Sequence, residues 1–466
     1  MLRLLIGKEL RELRRTTNVA WLLGGLALLL GLALYNGYSY YTTRSAFLRQ
    51  SQRTTYEQFI SQGDKNPHLG AHFGFYAYKP TADLALLDNG VEDYTGNSFY
   101  LEPHKRGEVK FREVSDATAL RSFGFLNVGY FAQFLLPLFI FLLTHNLFAK
   151  EWENGTIKLV LSSRVSAGQL VAGKLLAAGL VVGAVVALLA LGPLALLAWH
   201  RGPGALAGLL PTYACYVAGL LLYAALLTGL GGAVSLLTRS SALALVVLAG
   251  FWLLGVFLVP RLAGELARRA HPATTAVAFD DETFRDMQYG VGKEGTKDER
   301  HTALADSVLA HYHVKRLEDL PVFFIPITIE AAEESDGRVM DRAYTAIERI
   351  ETRQTRLVQL SALLSPFLAF RELSLHLTAT DLDTHRDFAA RAEAHRRRVG
   401  KIVDAFYQNN TVAGNAFWRT VPQFAYVAPG LGWRLRRAAL PLALLLGWGL
   451  AAGGLLALGT RRLGVQ

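Results

Sequence analysis

Residues 168–175 have most of the features of a phosphate-binding loop. They read Gly168-Gln-Leu-Val-Ala-Gly173-Lys174-Leu175. A phosphate loop also needs Ser or Thr after the lysine, to hold Mg²⁺, and a buried strand before the loop. Here Leu175 follows the lysine, and the run continues into an apolar stretch. The sequence therefore predicts no nucleotide site in this chain, so any ATP-driven work must use a separate protein.

Other residue types that do chemistry form no recognisable constellation. The sequence contains no His-Glu-x-x-His, no Gly-x-Ser-x-Gly and a single cysteine, Cys215, so the common metalloprotease and serine-hydrolase signatures are missing. His311 and His313 lie in a polar segment, and we interpret them as ordinary surface residues. Arg396-Arg397-Arg398 is interpreted as a solvated face rather than a contact with anionic lipid or ligand. No catalytic or metal-ligating residue is predicted.

The most informative segment is the loop 148–174, which lies between two apolar stretches. Its Asn154-Gly155 pair predicts a break between two short amphipathic helices, with Thr156 as the cap of the second. The second helix carries an apolar surface that a short loop cannot bury by itself, formed by Ile157, Leu159, Val160 and Leu161. Such a surface favours a protein partner. The alternative is a helical hairpin that folds against its own bundle.

The N-terminal segment 1–18 has apolar residues at three- and four-residue spacing, with basic residues on the rest of the helical wheel. This pattern predicts an amphipathic helix at the membrane surface. Its apolar face includes Leu5 and Ile6, and its basic face includes Arg11, Arg14 and Arg15. The alternative is a positively charged topology anchor with no further role, and both descriptions can hold together.

The elements that carry these segments follow from composition. The 466 residues are 52% hydrophobic and only 18% charged, against about a quarter charged in soluble proteins. Six stretches without Asp, Glu, Lys or Arg are each long enough to cross a hydrocarbon layer about 30 Å thick. We predict an all-α polytopic membrane protein, which excludes a soluble domain, a fibrous repeat and a disordered chain. The predicted membrane units are 19–35 (helix one), 124–147 (helix two), 175–260 (helices three to five) and 438–460 (helix six).

The net charge of +10 predicts the orientation. The two long segments, 36–123 and 261–437, are nearly neutral, and the excess of Lys and Arg lies on the short segments. Short basic segments stay in the cytoplasm, whereas long domains cross regardless of charge. We therefore expect both termini, including the tail 461–466, to be cytoplasmic and both long segments to be extracytoplasmic, the second mainly helical.

The order of residues in the loop 148–174 resembles the membrane subunit of type-2 ABC exporters. The resemblance rests on Glu-x-Glu-x-Gly-Thr, an apolar stretch, a turn with Arg-Val-Ser, and Gly-Lys before a hydrophobic helix. In that family this loop is the coupling helix that docks on the ATPase. The resemblance assigns six residues to ATPase coupling, namely Glu151, Glu153, Gly155, Thr156, Arg164 and Lys174. It also identifies the segment 1–18 as the cytoplasmic connecting helix.

The long segments resemble a subset of this family that carries large extracytoplasmic domains of unknown function. The matching residues are Leu364-Ser365-Pro366, Thr380-Asp381, His385 and Phe388. The resemblance covers nearly the whole chain.

This resemblance implies a permease subunit in the bacterial cytoplasmic (inner) membrane. It implies no enzyme activity and no cofactor in this chain, because ATP and magnesium are expected on a separate cytosolic ABC ATPase. Further implied partners are membrane lipid and a second copy or a paralogous permease, with no nucleic acid. The expected function is export of a substrate that the sequence does not identify. The alternative is an ATP-coupled mechanotransmitter or assembly scaffold that acts on envelope partners without a transport path.

Overall fold

The structure, a computed structural model, describes residues 2–464 except 16, 104–105, 107–108, 111–125, 164 and 293. Its first part contains two long helices and a small mixed region. The elements are α1 (Leu2–Arg15), α2 (Thr17–Ile60), α3 (Pro67–Phe73), β1 (Phe75–Tyr78), α4 (Glu92–Thr95), β2 (Ser98–Leu101) and β3 (Val109–Lys110). The strands form one antiparallel sheet in the order β1-β2-β3, in which Phe75 lies opposite Leu101.

Helix α2 is much longer than the predicted first span. Its 44 residues give a length of about 66 Å at 1.5 Å per residue, whereas the hydrocarbon layer is about 30 Å thick. The helix therefore continues past residue 35, where we expected the span to end, and forms part of the first long segment.

The middle of the chain forms a bundle of helices with two π-helical turns. The elements are α5 (Val128–Tyr130), a π-helical turn (Phe131–Leu135), α6 (Leu136–Thr144), α7 (Ala149–Glu153), α8 (Thr156–Ser162), α9 (Ala167–Arg201), a 3-10 turn (Pro203–Leu206), α10 (Leu210–Thr238), α11 (Ser241–Leu253), a second π-helical turn (Leu254–Leu258) and α12 (Val259–Ala270).

The last part is also helical. Its elements are α13 (Ala276–Tyr289), α14 (Lys297–Tyr312), a 3-10 turn (Leu317–Asp319), α15 (Phe324–Leu360), a 3-10 turn (Ser361–Leu363), α16 (Pro366–Thr378), α17 (Leu382–Tyr407), α18 (Asn415–Trp418) and α19 (Leu431–Gly464). Pro366 begins α16, because proline suits the first turn of a helix. The Ser365 hydroxyl caps this helix by accepting from the backbone N–H of Leu368.

Six helical stretches are long and apolar enough to cross a membrane: Val19–Ile60, Val128–Glu153, Ala167–Arg201, Leu210–Thr238, Ser241–Ala270 and Leu431–Leu463. Almost all regular structure is helical, so the predicted all-α polytopic fold is confirmed. We call the end of the bundle that carries α1, α7 and α8 the loop end. The opposite end, which carries the two long segments, is the domain end.

Helix α16 fastens the second long segment to the bundle. Among its residues only Arg371 and Glu372 are not buried. Its Phe370 ring stacks on Tyr223 of α10, with centroids 4.3 Å apart. At its start, the Ser365 hydroxyl donates to the backbone oxygen of Gly255 at 2.8 Å. The helix is thus part of the bundle core rather than of a separate soluble domain.

Asp88 connects both long segments to the second span. Its buried carboxylate accepts from the Ser374 hydroxyl at 2.6 Å and from the Gln133 amide at 2.8 Å. Burial raises the pKa of Asp88, although these hydrogen bonds act in the opposite direction. Ser374 belongs to α16 and Gln133 to the second span, so one carboxyl group holds three parts of the chain together.

A second core lies beyond the domain end and joins α2 to α17. It contains Phe59, Phe75, Phe99, Phe388 and Trp418. The Trp418 indole donates to the backbone oxygen of Gly63 at 3.1 Å. The far end of α2 is therefore held by the second long segment, which explains why the helix does not stop at the membrane.

The prediction that Arg396-Arg397-Arg398 is a solvated face is wrong for Arg396. This residue is buried and pairs with Glu393 at 2.8 Å. Arg397 forms a second pair with Asp341 of α15 at 2.7 Å. Only Arg398 is exposed. A basic run on one helix spreads over several faces; here α15 contacts Arg397, and Arg396 donates to the backbone oxygen of Glu102 at 3.3 Å.

A buried ion pair joins the last turn of α16 to the residue that caps α17. The ring of His376 is 2.6 Å from the Asp381 carboxylate through Nδ1. Burial acts to lower the pKa of His376, but Asp381, with smaller contributions from Glu372 and Asp383, raises it overall from its ordinary 6.5. Burial likewise acts to raise the pKa of Asp381, but His376 lowers it overall.

We predict that this pair makes stability fall as the pH rises. The folded state holds the His376 proton more tightly than the unfolded chain does. Its stabilisation is therefore complete below pH 6.5 and is lost as the pH rises through the raised pKa. Asp381 stays ionised over this range because its pKa is lowered. Thermal unfolding midpoints in detergent at about pH 5.5 and pH 8 should show a smaller pH dependence for His376→Asn than for the natural chain.

His395 supplies a control with the opposite sign. Burial lowers its pKa, so its protonation destabilises the fold at acid pH. His395→Asn should therefore enlarge the fall in stability between the acid and the alkaline condition. An identical pH dependence in all three proteins contradicts the assignment.

Candidate functional site

The loop 148–174 folds as two short helices on the loop end of the bundle. Gly155 separates α7 from α8 with φ +68° and ψ 6°, a left-handed conformation that favours glycine. Gly155 is also the N-cap residue of α8, and Thr156 is the first residue of the helix. Our prediction that Thr156 caps this helix is therefore wrong. The left-handed glycine makes the turn, and the Thr156 hydroxyl points back to the Glu151 backbone oxygen at 3.4 Å.

An ion cluster joins the loop to α1 and α9. The Lys174 ammonium lies 2.8 Å from the Glu151 carboxylate and 3.0 Å from that of Glu9. The side chains of Lys174, Glu9 and Glu151 are only 5%, 8% and 12% exposed. Lys8, on the surface, lies 3.2 Å from Glu9 and 3.7 Å from Glu151. We call these four residues the Lys174 cluster.

The Lys174 cluster contains two positive and two negative side chains. Burial acts to lower the pKa of Lys8, but Glu9, Glu151 and Glu12 raise it overall, so this lysine stays charged. Removing one partner of a buried pair leaves a charge without compensation, which costs far more than loss of a surface pair. The cluster therefore fixes where α1 lies relative to the loop.

The loop is also attached to α10 and α11. The buried Ser235 hydroxyl accepts from the backbone N–H groups of Phe148 and Ala149 at 2.9 and 3.1 Å. The Glu153 carboxylate accepts from the backbone N–H and the hydroxyl of Ser241 at 2.8 and 2.7 Å. Ser241 begins α11, where a carboxylate also interacts favourably with the helix dipole. Movement of α7 therefore acts directly on the ends of two candidate spans.

The surface of the loop is smaller and more polar than the sequence predicts. Ile157 is buried, and Val160 and Leu161 are half-buried against the bundle. Leu159 alone among the four apolar residues is largely exposed, at 72%. Exposed residues on its N-terminal side and next to it are Glu153, Asn154, Gly155, Thr156 and Lys158. We call Leu159 and these five residues the loop surface.

Helix α1 packs against the start of α9. Leu5 and Ile6 are half-buried, and a Cβ on Gly173 would lie 3.0 Å from the Leu5 side chain. Arg11, Arg14 and Arg15 are exposed. Gly173 therefore permits the close approach of the two helices. The same contact brings Glu9 of α1 to Lys174, one residue further along α9.

The six residues assigned to coupling divide into two groups. Glu151 and Lys174 belong to the buried cluster, whereas Glu153, Gly155 and Thr156 lie on the loop surface. Arg164 lies outside the described residues. The sequence interpretation missed Lys8, Glu9, Ser235 and Ser241 as partners of the loop. A signal for Glu9 was present, since the segments predicted to be cytoplasmic contain only four acidic residues, two in the arm and two in the loop.

The glycine-lysine run does not form a phosphate loop. Residues Ala167–Leu175 are the first turns of α9, where Ser166 and Gln169 form a capping box, and the Lys174 ammonium is held by two carboxylates. Within the ranges that the structure describes, no group of three or more His, Cys, Asp or Glu could hold a metal ion.

The fold and this site together define a polytopic helical membrane protein with a structured loop at one end. Residues 109–255 match the family model described as "ABC-2 family transporter protein". Residues 276–427 match a model described as "Domain of unknown function (DUF3526)". The chain thus carries an ABC-2 transporter domain of the permease type and an additional domain of unknown function, which confirms the resemblance. No curated protein matches the chain.

We predict that Lys174→Met destabilises the chain and releases α1. The substitution leaves Glu9 and Glu151 without their shared ammonium, at a cost of about 3–5 kcal/mol in the free energy of unfolding. Thermal unfolding in detergent measures the loss. Modification of a cysteine introduced at Gly7, in a Cys215→Ser background, measures the release of α1.

Lys158→Met is the matched control, because this lysine of the same loop is exposed. It should change neither measurement. Lys174→Met combined with Glu9→Gln and Glu151→Gln should recover most of the stability, because no buried charge is left unpaired. Equal effects of Lys174→Met and Lys158→Met rule out the role of the cluster.

Proposed function

We propose that this membrane component of an ABC transporter is an export permease driven by a separate cytosolic ATPase. The observation that carries the proposal is the loop surface, an exposed Leu159 surrounded by polar residues on a loop that is fixed to three spans. An apolar side chain within a polar rim is typical of a protein contact. The ABC-2 domain supports an ATPase as the partner.

In this proposal the protein lies in the bacterial inner membrane, and its loop end faces the cytoplasm. ATP and magnesium bind to the ATPase and not to this chain. The ATPase contacts the loop surface, with Glu153, Gly155 and Thr156 at the contact. Glu151 and Lys174 then act as positioning residues that keep the loop and α1 in one unit.

Closure of the ATPase on ATP displaces α7, and the displacement reaches the spans by two routes. One route runs through Glu153 and Ser241 to the start of α11. The other runs through the Lys174 cluster to α1 and α9. Two copies, or this chain and a paralogous permease, are proposed to form the transport path between them. The conformation that binds the ATPase best is the one whose population then increases.

A second candidate is an ATP-coupled mechanotransmitter or assembly scaffold without a transport path. The observation that favours it is the rigid connection from the bundle to the domain beyond it. Helix α2 runs unbroken from the loop end into the second core, and α16 is buried among the bundle helices. Movement at the loop end then reaches the two long segments, which act on an envelope partner.

We predict that Leu159→Asp prevents co-purification of the ATPase. A charge at the centre of the contact should weaken binding by about tenfold or more. Gly155→Val should act in the same direction, because a β-branched residue at φ +68° distorts the turn between α7 and α8. Affinity purification of the co-expressed pair, followed by quantification of bound ATPase, measures both effects.

Val277→Asp is the matched control, because Val277 of α13 is 77% exposed and lies in the second long segment. It should retain the ATPase. Substitution of Glu151 is less informative, since it also disrupts the Lys174 cluster. Undiminished ATPase binding by Leu159→Asp overturns the assignment of the loop surface.

Sealed vesicles separate the two functions. For an exporter, inside-out vesicles that contain the complex should accumulate substrate in their lumen only when ATP is added. The candidate substrates are lipids and peptides extracted from the producing cells. For a mechanotransmitter, ATP should change the protease sensitivity of the two long segments without any accumulation. An ATPase rate that is the same with and without the permease contradicts both functions.

A further inference from the structure

A cavity of about 810 Å³ lies at the domain end of the bundle, away from the loop surface. Its walls come from α2 beyond the first span, the turn after β1, the end of α9, the segment 423–428 and the start of α19. Its volume is typical of sites for small organic ligands. Because α9 and α19 are candidate spans, the cavity adjoins the membrane surface.

The cavity is rich in positive charge. Arg49, Arg53, Lys79, Arg201 and Arg434 line it, against Glu57 and Asp83. Arg201 pairs with Asp83 at 2.6 Å, and Lys79 lies 3.2 Å from Glu92. Among the described residues, the guanidinium groups of Arg49, Arg53 and Arg434 have no carboxylate within 4.0 Å.

Arg49 and Arg53 are one helical turn apart on α2. Two like charges at this spacing repel each other, and neither side chain has a hydrogen bond or ion pair with the part of the chain that the structure describes. An anion between them removes the repulsion and forms charge-assisted hydrogen bonds.

Buried polar atoms on the wall also lack partners. The Thr81 and Thr384 hydroxyls are buried and have no hydrogen bond within the described residues, whereas the buried Lys79 ammonium is paired with Glu92. The Lys79 side chain is only 4% exposed. A buried donor without an acceptor costs free energy that a ligand can recover. These donors line the same cavity as the arginines.

The remaining wall is apolar. Leu48, Ile60, Phe424 and Ala428 contribute side chains to it, and Leu48 and Phe424 are buried. A small inorganic anion satisfies the charges but leaves this surface without contacts. The combination of cations, hydroxyl donors and apolar wall fits a ligand with an anionic head and an apolar body.

We propose that this cavity binds an amphiphile that carries a phosphate group. The phosphate accepts hydrogen bonds from Arg49, Arg53 and the Thr81 hydroxyl, and the apolar body contacts Leu48 and Phe424. Phosphate fits better than carboxylate because its three oxygens match several donors, and arginine binds phosphate in a bidentate manner. The ligand comes either from a membrane phospholipid or from a soluble phosphorylated amphiphile. The proposal concerns binding and does not depend on transport.

Native mass spectrometry of the full-length chain in dodecyl maltoside tests the proposal. The detergent supplies a neutral dodecyl chain, so added dodecyl phosphate differs from it by the anionic head. We expect one dodecyl phosphate to bind per chain. The double substitution Arg49→Gln with Arg53→Gln should raise the dissociation constant for dodecyl phosphate by about tenfold or more. Ala425→Trp places a large side chain on the same wall and should also weaken dodecyl phosphate binding, without a change in charge.

Arg398→Gln with Arg419→Gln is the matched control, because both arginines are exposed and lie outside the cavity. This variant should bind dodecyl phosphate as the natural chain does. Inorganic phosphate, tested alone, should bind more weakly than dodecyl phosphate, and equal binding contradicts the apolar part of the site. Absence of a dodecyl phosphate adduct, or equal weakening by the two double variants, overturns the proposal.

Nanodiscs that contain phosphatidylglycerol and phosphatidylcholine distinguish the two sources. If chains released from them carry phosphatidylglycerol, and Arg49→Gln with Arg53→Gln removes it, the ligand comes from the bilayer. If only dodecyl phosphate added from solution occupies the site, the ligand is a soluble amphiphile. Both results support the phosphate site.

Discussion

The ammonium group of Lys174 is shared by two buried carboxylates, Glu9 and Glu151, that come from two other segments of the chain. A buried charge needs a partner close by, because the bundle interior and the membrane offer no water to replace it. The N-terminal helix, the loop and the start of α9 therefore cannot separate without exposing or stranding a charge. This constraint converts a short loop and an amphipathic arm into one rigid unit at the loop end.

A comparable constraint operates at the other end of the bundle. Asp88 is satisfied only when the second span, through Gln133, and α16, through Ser374, are both in place. Helix α16 in turn stacks on α10 through Phe370, and the Ser365 hydroxyl at its start donates to the backbone oxygen of Gly255. The two ends of the bundle are thus each fixed by buried polar groups, while the spans between them pack through apolar side chains. Such packing lets helices shift, whereas the polar groups specify what moves together.

The cavity beside α2 differs from both of these sites. At the Lys174 cluster and at Asp88 the chain supplies its own partners, and the polar groups serve as fasteners. At the cavity Arg49 and Arg53, without a partner among the described residues, and the unbonded hydroxyls of Thr81 and Thr384 line one space. Unsatisfied donors and like charges cost stability, so their presence around one space distinguishes a binding site from a structural network.

The sequence by itself determined the six spans and the break at Gly155, because the spans depend on local composition and the break on the backbone preference of one residue. It also indicated the ABC-2 class through short motifs in the loop 148–174. Only the tertiary structure decided which charges are partners. Glu151 and Glu153 are two residues apart, yet one is buried on Lys174 and the other caps α11. Arg396, in a basic run, is buried, while Arg398 is exposed. Burial and pairing depend on segments distant in sequence, 165 residues apart for Glu9 and Lys174 and 286 for Asp88 and Ser374, and no local pattern contains that information.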